Sequence, residues 1–114
     1  MANSPLAGEV WLCRLDPVEG REQAGIRPVL IVSGHRYNAL PSNLIIILPI
    51  TSRDRNIAFH VRVDPPEGGL RTISFVLADQ PRAVSTSRLK ERWGMVTRNT
   101  LEEARSLVGM FLEG

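Results

Sequence analysis

The 114-residue sequence holds too few thiols and histidines for a disulfide scaffold or a structural zinc site. Cys13 is the single cysteine, which excludes an internal disulfide, and the two histidines His35 and His60 lack metal-ligand spacing. Cys13 also lies inside an apolar strand pattern, which predicts a buried thiol without a chemical role. We therefore expect a protein that uses no metal and no other cofactor.

Long apolar segments are missing as well. The longest apolar run, residues 44–50, is far shorter than the ~20 residues that a membrane-spanning helix needs, and it contains Pro49. The N-terminus shows no basic head followed by an apolar stretch, so no signal peptide is expected. These absences predict a cytoplasmic protein with no membrane association, and the length fits a single domain over residues 1–114.

The small net charge of +2 is unevenly distributed along the chain. Residues 21–62 hold six arginines and two acidic residues, a net of +4, whereas the rest of the chain is mildly acidic. Thirteen of the 14 basic residues are arginine, whose planar guanidinium suits phosphate. A positive middle segment is typical of a surface that binds a polyanion, although a merely solvated surface produces the same pattern.

Short apolar or alternating segments separated by turns predict a mainly β fold. The predicted strands cover residues 9–15, 27–33, 44–50, 58–63, 74–78 and 93–96. The clear helical pattern is C-terminal, where Thr100 and Glu103 have the spacing of a capping box and apolar residues from Leu101 to Leu112 recur on one face. Many short strands and a few short helices indicate a small SH3-like barrel closed by the C-terminal α-helix.

Three polar segments are unusual for a barrel that only has to fold. A charged loop runs into a strand at Arg27, an apolar strand ends in Thr51 and Ser52, and another strand ends at Asp79. Polar groups at strand ends often do no more than cap turns. If the three ends converge, however, the arginine, the hydroxyls and the carboxylate could hold a phosphodiester, stabilise its extra negative charge and move a proton.

Such a set of side chains suits RNA better than DNA. The 2′-hydroxyl of RNA can attack the neighbouring phosphorus, so the reaction requires no metal-bound water. The expected products carry a 2′,3′-cyclic phosphate and a 5′-hydroxyl.

In these same segments the sequence resembles the MazF/PemK/Kid family of toxin endoribonucleases. The matching blocks are GEVWL at 8–12, LDP at 15–17, GREQAGIRPVLIVS at 20–33, PITS at 49–52, DQPR at 79–82 and SRL at 87–89. The G-x-E-Q-x-G-x-R-P block is the most specific of them. The resemblance implies a homodimer that cuts single-stranded RNA at short sequences without a metal, within a type II toxin–antitoxin system. It also implies an inhibiting MazE-like antitoxin with an acidic tail.

The resemblance assigns roles to individual residues. Arg27 would stabilise the phosphorane-like transition state, while Thr51 and Ser52 would hold the scissile phosphate. Glu22 would orient nearby groups or contact RNA, and Asp79 matches an acid that the Kid/PemK branch uses as general base. The remaining residues expected to bind RNA are Arg21, Arg53, Gln80 and Arg82.

One position departs from the Kid/PemK pattern. That branch has an arginine two residues before its catalytic acid, and this chain has Leu77 there. The departure favours a MazF-like arrangement centred on Arg27 and Thr51. Two alternatives stay open at this point: a non-catalytic binding module such as the CcdB-like gyrase poisons, and a family member that kept the fold and lost its activity. CcdB lacks the PITS and GREQ-x-G-x-RP blocks, which favours the nuclease.

Overall fold

The computed structural model describes residues 4–15, 25–54 and 58–113. This part of the chain forms the strands β1 (Glu9–Leu15), β2 (Gly25–Ile31), β3 (Leu44–Thr51), β4 (His60–Val63), β5 (Ser74–Leu77), β6 (Arg82–Ser85) and β7 (Leu89–Met95). Its helices are the short α1 (His35–Asn38) and the C-terminal α2 (Arg98–Glu113), with single 3₁₀ turns at Glu67–Gly69 and Thr86–Arg88. The mainly β prediction with a C-terminal helix is confirmed.

The strands form one curled antiparallel sheet in the order β4-β5-β3-β2-β1-β7. Strand β3 is long enough to pair with two strands along the same edge. Its first half pairs with β6, and its end pairs with β5. The chain forms a corner between β5 and β6, a turn in which the Gln80 N–H donates a hydrogen bond of 3.1 Å to the Leu77 carbonyl oxygen. Within the described residues the edge strands β4 and β7 do not pair with each other, so strand pairing does not close the barrel.

Strand β3 is buried on both faces, as the apolar run at residues 44–50 predicted, and the second half of β2 is buried beside it. Leu30 and Leu48 belong to one apolar cluster, which also receives Ala104 of α2. Ile31 and Ile47 belong to a second cluster, which contains Cys13. Cys13 is fully buried, as expected, and burial raises the pKa of its thiol.

Helix α2 starts earlier than the capping-box pattern predicted. It begins at Arg98, and the Thr97 hydroxyl oxygen accepts a hydrogen bond from the backbone N–H of Thr100 at 3.2 Å. The prediction of Thr100 as cap was wrong because Thr97 carries the same type of oxygen three residues before it. The guanidinium of Arg105 then fastens the helix to the sheet, donating two hydrogen bonds of 3.0 and 2.8 Å to the Val32 carbonyl oxygen.

The apolar face of α2 is shorter than predicted. Leu101, Leu107 and Val108 pack against the first cluster, whereas Leu112 is 71% exposed in this single chain. The strand β6 was missed because Val84 is its one buried residue, which leaves no periodicity to detect. No helix of the described ranges is long and apolar enough to cross a membrane.

Candidate active site

The antiparallel pairing of β2 with β3 carries Arg27 and Thr51 to the same end of the strand pair. Val29 pairs with Pro49 across the two strands, and each strand runs on for two residues, to Arg27 in one and Thr51 in the other. Both side chains line the same open pocket, so the arginine and the hydroxyl can reach one ligand.

The pocket has a volume of about 380 Å³ and a lining rich in donors. Three arginines and four hydroxyl side chains contribute to it, and the described lining contains no carboxylate. The lining residues are Arg27, Pro28, Ile50, Thr51, Ser52, Arg53, Leu70, Arg71, Thr72, Ser74 and Trp93. This composition gives a positive, hydrogen-bonding concavity that suits an anion with several oxygens, such as a phosphodiester.

The arginines of the pocket are exposed in the part of the chain that the structure describes. They are Arg27, Arg53 and Arg71. Exposed guanidinium groups in the lining can reach an incoming phosphate.

The end of β3 fixes the Thr51 hydroxyl. Its Oγ1 accepts a hydrogen bond from the backbone N–H of Arg53 at 3.2 Å, a local turn of the kind that serine and threonine often form. This bond uses the oxygen as acceptor and leaves the hydroxyl proton for donation. Thr51 can thus donate to a phosphate oxygen from a defined position.

The third polar segment, expected to join the other two, does not line this pocket. Phe75 pairs with Thr51 near the start of β5, whereas Asp79 follows the other end of that strand. Asp79 lies instead beside a buried histidine, with 3.7 Å between its Oδ1 and His60 Nε2. Gln80 lies beside it in the same corner, also outside the pocket lining.

Arg82 is also separate from the pocket. It begins β6, where it pairs with Ile47. It lies close enough to Cys13 for its positive charge to offset part of the burial that raises the pKa of that thiol. Of the remaining predicted site residues, Arg21 and Glu22 fall outside the described residues.

The pocket contains residues that the sequence did not single out. Arg71, Thr72 and Ser74 come from the segment before and at the start of β5, and Trp93 comes from β7. Arg71 Cζ is 5.9 Å from the centroid of the Trp93 ring, within the range of a cation–π contact. The sequence offered no pattern for this set, because its members approach the pocket from distant parts of the chain.

The described residues offer no cluster of metal ligands. Within 4–15, 25–54 and 58–113, no three histidine, cysteine, aspartate or glutamate side chains come together in a way that could hold a metal ion. The charged and hydroxyl side chains of the pocket lining are donors, which bind anions.

Comparison with known proteins gives the same family from sequence and from structure. The family model described as "PemK-like, MazF-like toxin of type II toxin-antitoxin system" matches residues 6–112. The chain is 41% identical over 90 residues to Endoribonuclease PemK of Escherichia coli, a match that covers 76% of this chain and 63% of that protein. It is 33% identical over 110 residues to Endoribonuclease MazF of Staphylococcus saprophyticus, covering 92% and 88% of the two chains.

The fold is similar to that of MazF from Deinococcus radiodurans. The crystal structure of MazF from that organism has a TM-score of 0.82 at 31% identity and covers 97% of this chain and 98% of its own. A MazE–MazF structure from the same organism has a TM-score of 0.79 at 30% identity, with 96% of each chain covered.

Proposed function

Because the chain belongs to the PemK-like, MazF-like toxin family of type II toxin–antitoxin systems, we propose that it is an endoribonuclease that cuts single-stranded RNA at short specific sequences without a metal ion. The observation that carries the proposal is the pocket that Arg27 and Thr51 share. The names of two relatives, both endoribonucleases, support the same activity.

The pocket supplies the groups that a reacting phosphate needs. The hydroxyls of Thr51 and Ser52 donate hydrogen bonds to the non-bridging oxygens and hold the scissile phosphate. Arg27 stabilises the additional negative charge that develops on those oxygens in the transition state. A guanidinium in a protein does not give up its proton, so charge stabilisation suits Arg27 better than proton donation.

The nucleophile in this proposal is the 2′-hydroxyl of the substrate. Its oxygen forms a bond to phosphorus and releases its proton, while the bond from phosphorus to O5′ breaks and O5′ takes up a proton. The products are a 2′,3′-cyclic phosphate and a 5′-hydroxyl. Because the ribose supplies the nucleophile, the reaction needs no metal-activated water.

The two acidic residues that the resemblance singles out receive different assignments. Glu22 lies outside the described residues, and we assign it to orienting the reacting groups or contacting RNA, as the resemblance implies. Asp79 lies at the far end of β5, beside His60, and we do not assign it the role of base. Arg21, Gln80 and Arg82 are proposed to contact RNA beyond the pocket.

The proposal includes a partner and an assembly. A MazE-like antitoxin with an acidic tail would compete with RNA for the arginines of the pocket, and the MazE–MazF structure of Deinococcus radiodurans supports a partner of this kind. The active form is proposed to be a homodimer in the cytoplasm, where its RNA substrates are located.

The test is cleavage of a long single-stranded RNA in excess EDTA, with the cut ends mapped chemically. We expect discrete cuts that persist in EDTA and leave cyclic phosphate and 5′-hydroxyl ends. Cleavage that stops on chelation would contradict the metal-independent mechanism. Intact RNA in the presence of folded protein would contradict the enzyme assignment and indicate a non-catalytic binding module.

A further inference from the structure

Part of the pocket is built by residues that the cleavage proposal leaves unused. Arg71 and Trp93, which we call the Arg71–Trp93 platform, stand in the same lining as Arg27 and Thr51. Trp93 is half-buried and Arg71 is exposed, so this part of the wall combines an aromatic surface with a charged edge.

Close backbone contact fixes the position of Trp93. The 3₁₀ turn Glu67–Gly69 packs directly on β7, and a Cβ placed on Gly69 would lie 2.2 Å from the Trp93 carbonyl oxygen. A Cβ placed on Gly94 would lie 2.8 Å from the Gly68 carbonyl carbon. Neither position accepts a side chain, so the turn that leads into Arg71 and the strand that carries Trp93 are held together by their backbones.

Glu67 fastens the same turn to the start of α2. Its Oε2 accepts a hydrogen bond of 3.0 Å from the Thr97 backbone N–H, and it also accepts bonds from the hydroxyls of Thr97 and Thr100. Thr97 lies two residues after the end of β7. The turn is therefore held both at Trp93 and Gly94 of β7 and at Thr97 beyond that strand, which limits the movement of Arg71 relative to Trp93.

The contact between the two side chains gives the platform its chemistry. The Arg71 guanidinium lies over the Trp93 ring, with its Cζ 5.9 Å from the ring centroid. Unpaired bases of single-stranded RNA stack on aromatic rings and on guanidinium planes of this kind. An arginine at such a place can also donate hydrogen bonds to the adjoining phosphate.

We propose that the Arg71–Trp93 platform stacks a nucleobase of the RNA next to the phosphate that Arg27 and Thr51 hold. The inference rests on the proposed function and adds a base-binding subsite to it. Stacking accepts every base, because each has a π face. The platform therefore contributes affinity and positions the substrate, and base identity is read by other contacts.

Tryptophan fluorescence gives a direct test of this subsite. Trp11, the other tryptophan, lies in β1 and donates a hydrogen bond to Glu9, so a Trp11→Phe protein reports on Trp93 alone.

The probe is a 2′-O-methyl RNA oligonucleotide of mixed sequence, which cannot be cleaved by 2′-hydroxyl attack. The matched probe is an oligomer of the same backbone and length without bases. We expect the first probe to quench Trp93 and the base-free probe to leave it unchanged. Equal quenching by both probes would overturn the inference.

Binding of the uncleavable RNA to variants provides the second measurement. Trp93→Ala should raise the Kd about tenfold, while Trp93→Phe, which keeps an aromatic ring, should stay within about threefold. Arg71→Lys should keep the salt dependence of binding and still lose affinity, because lysine keeps the charge without the planar group. Thermal denaturation checks that each variant is folded. Unchanged affinity of folded Trp93→Ala would overturn the platform.

Cleavage by the Trp11→Phe protein, assayed in parallel, separates the two proposals. If this protein cuts RNA and Trp93→Ala binds normally, the platform is wrong and the nuclease assignment stands. If RNA stays intact while base-dependent quenching occurs, the nuclease assignment is wrong and the base-binding subsite stands.

Discussion

Arg27 and Thr51 lie on neighbouring antiparallel strands and line one pocket. Each residue lies two positions beyond the Val29–Pro49 pair, where the pairing of β2 with β3 ends. The two residues are distant in sequence, and the pairing of their strands carries both to the same end of the strand pair. A guanidinium and a fixed hydroxyl at one place are what a phosphate-binding catalytic site requires.

Loss of either group should remove cleavage. We expect Arg27→Ala and Thr51→Ala each to lower the rate of RNA cleavage by about 100-fold or more, because each removes a donor to the transition-state oxygens. Thr51→Ser keeps the hydroxyl and should keep most of the activity. Arg62→Ala is the matched control, since Arg62 is exposed, pairs with Asp64 and lies outside the pocket. Near-normal rates in Arg27→Ala would show that the site lies elsewhere.

Replacing Asp79 should have a much smaller effect. Its described neighbour is His60, at 3.7 Å, and it is absent from the pocket lining. We expect Asp79→Asn to change the cleavage rate by less than about tenfold, well below the loss from a missing transition-state donor. This change is measured by comparing the single-turnover cleavage rates of wild type, Asp79→Asn and Arg27→Ala. A loss as large as that of Arg27→Ala would give Asp79 the general-base role known in the Kid/PemK branch.

Gly69 should tolerate no side chain. Its φ of +74° disfavours L residues, and a Cβ would lie 2.2 Å from the Trp93 carbonyl oxygen. We expect Gly69→Ala to lower the free energy of unfolding by about 3 kcal/mol or to prevent folding, because backbone has to move. Gly109→Ala is the control, since nothing lies within 4 Å of its Cβ position and alanine favours a helix by up to about 1 kcal/mol. Urea denaturation of both variants measures the difference, and equal stability would contradict the packing of this turn.

Glu9 should make stability depend on acid pH. Burial by itself raises the pKa of Glu9, but hydrogen bonds from the Leu6 N–H, the Trp11 indole and the Arg92 guanidinium, with the charge of Arg92, lower it below its ordinary value of 4.5. A carboxylate with a lowered pKa stabilises the fold above that ordinary value, and this contribution is lost as the pH falls through the lowered pKa.

We therefore expect Glu9→Gln to lower the free energy of unfolding by about 2 kcal/mol at neutral pH, since bonds to a charged group are among the stronger ones. The difference from wild type should shrink as the pH falls below about 4. Urea denaturation at neutral and at acid pH tests both statements. Glu91→Gln, on an exposed residue of β7, should change stability by less than about 0.5 kcal/mol. A Glu9→Gln effect that is the same at both pH values would contradict the electrostatic origin.

Local patterns predicted most of the fold correctly. The apolar run of β3 indicated burial on both faces, and alternation in β4 indicated a half-buried strand, because hydrophobic periodicity is a property of consecutive residues. The failures lie where the pattern is weak or duplicated. Val84 alone could not reveal β6, and Thr97 and Thr100 offered two candidate caps for one helix.

The sequence by itself determined the family and predicted Arg27 and Thr51 as the two central site residues, since the blocks around them are short, contiguous motifs whose residue types already limit the chemistry. Tertiary structure decided which of the polar strand ends meet. The β2–β3 register joined Arg27 to Thr51, the corner after β5 took Asp79 to His60, and the glycine contacts of the 3₁₀ turn brought Arg71 and Trp93 into the pocket. Proximity between distant segments depends on strand pairing and on backbone packing, and neither is encoded in the order of neighbouring residues.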